Sequence, residues 1–138
     1  MANSILMLEH DDDDRHITKS VFAENGYPVK IDFVSNSDDL FAFLLSCEKT
    51  SFPFPRLILL NYYSLPLNAV EILRVLKQNP LYAHIPVVVL SGTMQPGILH
   101  ECYTAGASSC IKKPALTGET DRKISAFMRY WFEAVDLP

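Results

Sequence analysis

The stretch Leu57-Ile58-Leu59-Leu60-Asn61 decides the fold, because four consecutive apolar residues run directly into one amide. An unbroken apolar run of this length is typical of a strand that is buried on both faces in the middle of a parallel sheet. Turn-forming residues follow at Ser64, Pro66 and Asn68, so the strand is predicted to end at Asn61. Open α/β folds place their sites at the carboxyl ends of such strands, which makes Asn61 the first candidate functional residue.

Further strand patterns recur along the chain, as short apolar runs or, at Val29–Val34, as an alternation of apolar and polar residues, and helical patterns separate them. The predicted strands are Ser4–Leu8, Val29–Val34, Leu57–Asn61, Ile85–Leu90 and Cys110–Ile111. The predicted helices begin at Asp13 or Asp14, Ser37, Val70, Ile98 and Thr117, the first is ended by Asn25-Gly26, and the last continues to Val135. This alternation predicts one α/β domain over residues 1–138, a flavodoxin-like (βα)5 three-layer sandwich with parallel strand order 2-1-3-4-5.

Composition and charge argue against several classes of protein. The 138 residues carry a formal net charge of −4 and no stripe of Lys and Arg, which argues against a nucleic-acid-binding surface. No apolar run approaches the length of a membrane span, and the N-terminus does not resemble a signal peptide. Cys47, Cys102 and Cys110 are odd in number and lack paired spacing, which is typical of reduced thiols in a cytoplasmic protein.

The predicted strand order brings several polar residues to one crevice. Strands 1 and 3 are neighbours in that order, so the loops that follow them meet at the carboxyl edge of the sheet. The first loop carries the run Glu9-His10-Asp11-Asp12-Asp13-Asp14, and the second begins at Asn61. Ser91 and Lys113 follow the two remaining strands on that side and are expected beside the same crevice.

Four segments, taken in order and spacing, resemble the receiver domain of bacterial two-component response regulators. They are Ile5–Asp11, Leu57–Asn61, Ile85–Gly92 and Gly106–Pro114. The tail Tyr130–Pro138 is similar to the ends of stand-alone receivers, including those that partner phytochrome-type kinases. The resemblance covers essentially the whole chain, and it implies a CheY-like fold and a part in phosphorelay signal transduction rather than enzymatic activity.

The resemblance also assigns roles to individual positions. In receivers, a pair of acids after strand 1 and an Asp after strand 3 hold Mg²⁺, and that Asp accepts the phosphoryl group. A hydroxyl and a lysine contact the phosphate, a backbone carbonyl binds the metal, and an aromatic residue on strand 5 reports the change. The residues of this chain at those positions are Glu9 and His10 (acids), Asn61 (acceptor), Ser91 (hydroxyl), Lys113 (lysine), Tyr63 (carbonyl) and Cys110 (aromatic).

Two of these departures weaken the usual chemistry. Asn61 lacks the anionic oxygen that forms an acyl phosphate. His10 is a poor ligand for Mg²⁺, which prefers hard oxygen donors, so Mg²⁺ binding is expected to be weak or absent and no metal or other cofactor is expected. Two interpretations of Asn61 remain open, a neutral stand-in that holds the domain in one state and a degraded site with a structural role. A register shift that makes Asp11 the metal-binding acid is a further alternative.

The remaining candidates each have a structural interpretation beside the functional one. Without a phosphoaspartate as its partner, the ammonium of Lys113 could pair with the carboxylate of Glu9 or Asp11 instead. Ser91 could be a turn hydroxyl. Cys110 is expected to be a small buried apolar residue, and a redox role is not favoured because no resolving cysteine lies within sequence reach.

The sequence thus predicts a pseudo-receiver, a non-enzymatic module that binds a protein partner independently of phosphorylation. The expected partner is a sensor histidine kinase or a downstream effector, bound by helix 4, strand 5 and helix 5, which could also form a homodimer. The alternative is a metal-dependent hydrolase or transition-metal-binding module that uses Glu9, His10 and Asp11. A flavodoxin is a weaker rival, because the acidic run after strand 1 would repel the phosphate of a flavin nucleotide.

Overall fold

The computed structural model describes residues 3–24, 26, 28–113 and 117–137. The strands in this part of the chain are β1 (Asn3–Leu8), β2 (Val29–Val34), β3 (Leu57–Asn61), β4 (Val87–Ser91) and β5 (Ser109–Lys112). The helices are α1 (Asp12–Glu24), α2 (Ser37–Thr50), α3 (Ala69–Gln78), α4 (Pro96–Ala105) and α5 (Thr117–Arg129), followed by a π-helical turn (Tyr130–Ala134). The strands are parallel in the order β2-β1-β3-β4-β5, so the predicted flavodoxin-like topology is confirmed.

The strand β3 lies in the centre of the sheet, and all five of its residues are buried. Its side chains alternate between the two faces, as the pleat of a strand requires. Ile58 and Leu60 join a hydrophobic cluster that includes residues of α2, α3 and α4. Leu57 and Leu59 join a second cluster that includes Phe22 of α1 and residues of α5. Burial on both faces explains why the sequence of β3 shows an unbroken apolar run rather than alternation.

The prediction for the fourth strand, Ile85–Leu90, was wrong at both ends. The strand β4 begins at Val87, because Pro86 has no N–H to donate and the N–H of Ile85 donates to the carbonyl of Tyr82 in a turn (3.0 Å). It ends one residue later than predicted, at Ser91, which pairs with Lys112 of β5. Ser91 therefore belongs to the sheet itself and has little freedom to move.

Both terminal helices also differ from the prediction. The side chain of Asp11, rather than that of Asp13 or Asp14, caps α1 by accepting the N–H of Asp14 at 3.0 Å. The predicted end of α1 at Asn25 lies outside the described residues, as does Pro114. Helix α5 does not continue in regular form to Val135, because the chain widens into the π-helical turn at Tyr130.

The helix α4 contributes one fully buried side chain to the core, and its residues Ile98 and Ala105 pack partly buried against the same cluster. Of its ten residues, all of which the structure describes, only Cys102 is buried. The helix ends at Gly106, whose φ of 111° lies in the left-handed region. A Cβ at Gly106 would lie 2.8 Å from Cγ of Lys77 on α3, so glycine is required there by both conformation and space.

Candidate functional site

Glu9 is a charged residue buried at the carboxyl edge of the sheet, directly after β1. Its side chain is only 1% exposed, and its backbone N–H donates to the carbonyl of Val34 at 2.9 Å. An ionised carboxyl that is buried so deeply requires compensating partners. The described residues with buried polar or charged side chains are Glu9, Ser37, Asn61 and Ser91. Three of these four end or follow a strand at the same edge, where the predicted crevice lies.

Lys113 supplies the charge that Glu9 needs. Its Nζ lies 2.8 Å from Oε1 of Glu9 and 3.6 Å from a carboxylate oxygen of Asp14, and its side chain is 31% exposed. The backbone N–H of Lys113 donates to the carbonyl of Ser91 at 2.7 Å, which fixes the start of the side chain above β4. The ammonium is therefore held between an acid of the first loop and an acid of α1.

The neighbours of Glu9 determine its protonation. Burial has the largest influence and acts to raise the pKa of Glu9. The hydrogen bonds from Lys113 and Asn61 and the charge of Lys113 together outweigh burial, with a smaller contribution from the N–H of Asp11, so the pKa lies below the ordinary value of a glutamate. Glu9 is therefore an anion at neutral pH, although it is almost wholly enclosed.

Asn61 ends β3 beside Glu9. Its Nδ2 donates to the carbonyl of Leu8 at 3.0 Å, so the amide ties the ends of β1 and β3 together. Its Oδ1 is buried, and it has no hydrogen-bond partner within the described part of the chain.

Ser91 lies on the other side of Asn61, at the end of β4. Its hydroxyl accepts the N–H of Thr93 at 3.3 Å, which closes a local turn around Gly92. Its side chain is 3% exposed. The turn-hydroxyl interpretation of Ser91 therefore has a specific contact to support it, and this contact does not prevent the hydroxyl from donating to a ligand.

The side chains of the acidic run after β1 do not converge on one point. The side chain of His10 is 73% exposed, and its Nδ1 lies 3.9 Å from Oε2 of Glu9. Asp11 is exposed and donates its N–H to the same carboxylate at 3.4 Å. Across the described ranges, no group of three His, Cys, Asp or Glu side chains is arranged to hold a metal. The alternative of a hydrolase or transition-metal module built on Glu9, His10 and Asp11 is therefore not favoured.

Receiver domains, which the sequence resembles, hold Mg²⁺ at this edge, but the donor set here does not fit that ion. Mg²⁺ requires near-octahedral oxygen ligands. Oxygen Oε1 of Glu9 is already bound to an ammonium, the position of the second acid holds an imidazole, and Asn61 offers one neutral oxygen. The nearby Lys113 ammonium would also repel a divalent cation.

The loop between β3 and α3 displays apolar side chains beside the site. Tyr63 is 65% exposed and Leu65 is 77% exposed. The N–H of Ser37 donates to the carbonyl of Leu65, and the hydroxyl of Ser37 accepts the N–H of Leu67, both at 3.1 Å. The hydroxyl of Ser64 donates to the carbonyl of Leu67 at 2.6 Å. The loop is thus fixed to the start of α2 while its apolar side chains face outward.

Cys110 occupies the middle of β5, opposite Val89 of β4. It packs against the cluster of the α2, α3 and α4 face, but it is half-buried rather than buried as predicted. Its N–H donates to the hydroxyl of Tyr103 on α4 at 3.2 Å.

Three residues of this region were missed by the sequence analysis as individual contributors. Asp14 shares the ammonium of Lys113. Arg15 donates from Nε to the carbonyl of Glu9 and from Nη2 to the hydroxyl of Ser35 (2.9 Å), so it braces the first loop. Cys102 is buried in the hydrophobic cluster against which Cys110 also packs. The one sequence feature that could have indicated Asp14 and Arg15 is the helical phase of α1, which puts both residues in its first turn.

None of the described helices is both long enough and apolar enough to cross a membrane.

Solved structures of response regulators closely match this architecture. The Mn²⁺-bound form of the response regulator Rcp1 is 25% identical, with 99% of each chain covered and a TM-score of 0.87. Response regulator RPA3017, from red-light signalling in R. palustris, is 24% identical, with 99% of this chain and 98% of that chain covered and a TM-score of 0.89. The phosphorylated cyanobacterial phytochrome response regulator RcpA is 23% identical, with 100% of this chain and 99% of that chain covered and a TM-score of 0.90.

Comparison by sequence gives a fainter signal. No protein-family model matches the chain. The probable methanogenesis regulatory protein FilR2 of Methanothrix harundinacea is 23% identical over 127 residues, which span 92% of this chain and 82% of that protein. The strand order, the position of the crevice and the match to response regulators agree, and the chain is therefore, in fold, a CheY-like receiver domain of the response-regulator type.

Proposed function

We propose that this receiver domain transmits a signal by binding a protein partner and is not phosphorylated at the carboxyl end of β3. The observation that carries the proposal is the position of Asn61, a buried amide at the end of the central strand. An acyl phosphate requires an anionic carboxylate oxygen as nucleophile, and an amide offers none. We therefore interpret Asn61 as a neutral residue in the place of the phosphoacceptor Asp.

The charges of the pocket support the same conclusion. In a phosphorylated receiver, the lysine at this position pairs with the negative charge of the phosphoryl group. Here Glu9 and Asp14 already neutralise the ammonium of Lys113, at 2.8 Å and 3.6 Å. We infer that the pocket rests in a charge-balanced state that requires no incoming phosphate, and that it needs neither Mg²⁺ nor another cofactor.

The partner is proposed to be a sensor histidine kinase or a downstream effector in the cytoplasm. The proposed binding surface is formed by α4, β5 and α5, and it could also mediate a homodimer. Tyr103 on α4 is 50% exposed and Tyr130 after α5 is 56% exposed, which is consistent with aromatic contacts at an interface. No catalytic role is proposed for any residue.

Incubation with acetyl phosphate and Mg²⁺, followed by intact-mass measurement, tests the proposal. We expect no species heavier by about 80 Da, the mass of one phosphoryl group. The matched control is the double variant Asn61→Asp with His10→Asp, which supplies both missing acids and is expected to gain a base-labile phosphoryl group. A stoichiometric adduct on the unaltered chain would overturn the proposal.

Sedimentation velocity tests whether association depends on phosphorylation. The size distribution of the chain is expected to be the same before and after treatment with acetyl phosphate and Mg²⁺. A shift from monomer to dimer that occurs only after treatment would contradict binding that is independent of phosphorylation.

A further inference from the structure

The strand β2 forms one edge of the sheet and presents backbone hydrogen-bonding groups to the outside. The carbonyl of Val34 accepts the N–H of Glu9 at 2.9 Å, so the backbone groups of Val34 point toward β1. Because these directions alternate along a strand, the N–H and C=O groups of Val29, Ile31 and Phe33 point away from β1. In the described part of the chain β1 is the one strand that pairs with β2, so these three residues form an open edge.

The opposite edge of the sheet, β5, is covered by side chains. The N–H of Cys110 donates to the hydroxyl of Tyr103 at 3.2 Å, and the carbonyl of Lys112 accepts a hydrogen bond from Nζ of Lys123 at 3.0 Å. An edge strand whose backbone groups are not covered in this way is a template for pairing with another strand. The contrast indicates that β2, rather than β5, is the edge that is available for pairing.

The charges of β2 are self-complementary when two copies of the strand run antiparallel. Lys30 and Asp32 point to the same face of the sheet, with Nζ and a carboxylate oxygen 3.9 Å apart, and their side chains are 67% and 36% exposed. A lone lysine on an edge strand opposes pairing. In an antiparallel pair centred on Ile31, however, Lys30 of each copy lies opposite Asp32 of the other, and opposite charges at such positions are stabilising.

The same register also matches the backbone. Centring the pair on Ile31 places Val29 opposite Phe33 and Ile31 opposite its own copy, so the residues that meet at hydrogen-bonding positions are those whose N–H and C=O groups point outward. A shift by one residue would place outward-pointing groups opposite inward-pointing ones. A shift by two residues would bring Lys30 opposite Lys30 or Asp32 opposite Asp32. Hydrogen bonding and charge therefore favour one and the same register.

Apolar surface lies beside this edge, on the face of the sheet that α1 covers. A cavity of about 100 Å³ lies between α1 and β2, and it is lined by Lys19, Phe22, Ala23, Val29 and Ile31. Val29 and Ile31 are only half-buried, so α1 does not cover β2 completely. In the paired arrangement, Ile31 of the second copy would lie on this face beside Ile31 of the first and would remove apolar surface of both from water.

We propose that the chain forms a homodimer in which two copies of β2 pair antiparallel about a two-fold axis at Ile31 and join the two sheets into one. The interface is isologous, since each copy contributes the same strand. It lies at the edge opposite β5, so it leaves the surface of α4, β5 and α5 free for another protein. The pairing does not involve Asn61 or Lys113 and is therefore independent of the proposal that the domain is not phosphorylated.

Sedimentation velocity of the full chain between about 1 and 300 µM tests the proposal, because dimerisation depends on protein concentration. We expect the wild type to pass reversibly from monomer to dimer. Lys30→Asp alone, or Asp32→Lys alone, should raise the dissociation constant of the dimer about tenfold or more, because like charges then lie opposite each other at both symmetric positions. Arg74→Asp, at an exposed position on α3, is the control with the same change in net charge as Lys30→Asp and should dimerise as the wild type does.

A mixture of the two charge variants gives the sharpest result. Lys30→Asp makes positions 30 and 32 both acidic, and Asp32→Lys makes both basic, so the two chains should form a heterodimer although neither forms a homodimer readily. Circular dichroism of each variant checks that the fold is kept. A wild type that remains monomeric would overturn the proposal and leave the edge to an extended segment of another protein. A dimer that neither charge variant weakens would also overturn it, because such a dimer uses another surface.

Cross-linking tests the register. Under mild oxidation, Ile31→Cys should form a disulfide between two chains, because the axis brings the two copies of this position together. Val29→Cys is the matched control and should not form one, since the register places Val29 opposite Phe33. Equal cross-linking of the two variants, or cross-linking of the control alone, would overturn the pairing about Ile31.

Discussion

The ammonium of Lys113 lies 2.8 Å from Oε1 of Glu9, a carboxylate that is 1% exposed and directly follows the first strand. These residues are 104 positions apart in sequence, so the contact joins the loop after β1 to the end of β5. A carboxylate buried to this degree would be costly without a cation beside it. The ion pair therefore makes the arrangement of the whole carboxyl edge interdependent.

Replacing Lys113 with Met should destabilise the protein by about 2 kcal/mol, because it leaves a buried carboxylate without its cation. The double variant Lys113→Met with Glu9→Gln should recover part of that loss, since neither charge then remains. Urea unfolding of the single and double variants gives the coupling energy directly. Lys112→Met, at the exposed neighbouring position, is the control and should change stability little. Equal stability of Lys113→Met and the wild type would show that the pair has no energetic role.

Stability should fall in acid because folding lowers the pKa of Glu9. Between the lowered pKa and the ordinary one, the unfolded chain binds the proton and the folded protein does not, so stabilisation is complete above the ordinary pKa and is lost as the pH falls through the lowered one. Unfolding free energies measured from about pH 6 to about pH 3 should decline less steeply in Glu9→Gln. Parallel curves for the variant and the wild type would assign the acid loss to other carboxyl groups.

Asn61→Asp should cost about 2 kcal/mol at neutral pH, because a carboxylate cannot donate to the carbonyl of Leu8 and would lie beside the anionic Glu9. The cost should shrink when the new acid is protonated at lower pH. Asn36→Asp is the control, since Asn36 caps α2 with its side-chain oxygen and Asp caps a helix equally well. A neutral or stabilising effect of Asn61→Asp at pH 7 would mean that the pocket already accommodates a second anion.

Tyr82→Phe should show the contribution of a phenol that donates to Oε2 of Glu48 at 2.6 Å. Burial, then the hydrogen bond and charge of Glu48, raises the pKa of Tyr82 to about 12. The unfolded chain therefore loses its phenol proton first, and wild-type stability should fall as the pH rises from about 10 towards 12. The variant should lose about 1 kcal/mol at neutral pH and lack this alkaline decline. The control Tyr130→Phe, at a phenol that is 56% exposed, should behave as the wild type at both pH values.

The sequence predicted the fold well where local pattern and tertiary burial agree. The unbroken apolar run of Leu57–Leu60 made β3 a central strand, and every residue of β3 is buried. The fourth strand was misplaced because hydrophobicity alone does not reveal that Pro86 lacks a donor and that Ile85 joins the preceding turn. The π-helical turn at Tyr130 also has no counterpart in the apolar spacing of α5, which remains helical in pattern through Phe132.

The location of the site could be predicted from the sequence, but most of the contacts between its side chains could not. Strand order is sufficient to bring Glu9, Asn61 and Lys113 to one edge, but the choice of Asp14 rather than Asp11 as the second partner of the ammonium depends on the phase of α1. The packing of Cys102 and Cys110 against one hydrophobic cluster could not be recognised from spacing, because a helix end and a reversal at Gly106 intervene. A sequence pattern does not determine contacts that depend on how a helix or strand is rotated about its own axis.

Ser37 places a constraint on recognition at the mouth of the crevice. By holding the carbonyl of Leu65 and the N–H of Leu67, it orders the segment that displays Tyr63 and Leu65 before any other molecule arrives. A protein that docks on this segment would meet a preformed apolar surface and would lose little conformational entropy in shaping it. Its association rate would then be governed by diffusion and orientation rather than by a slow rearrangement of the loop.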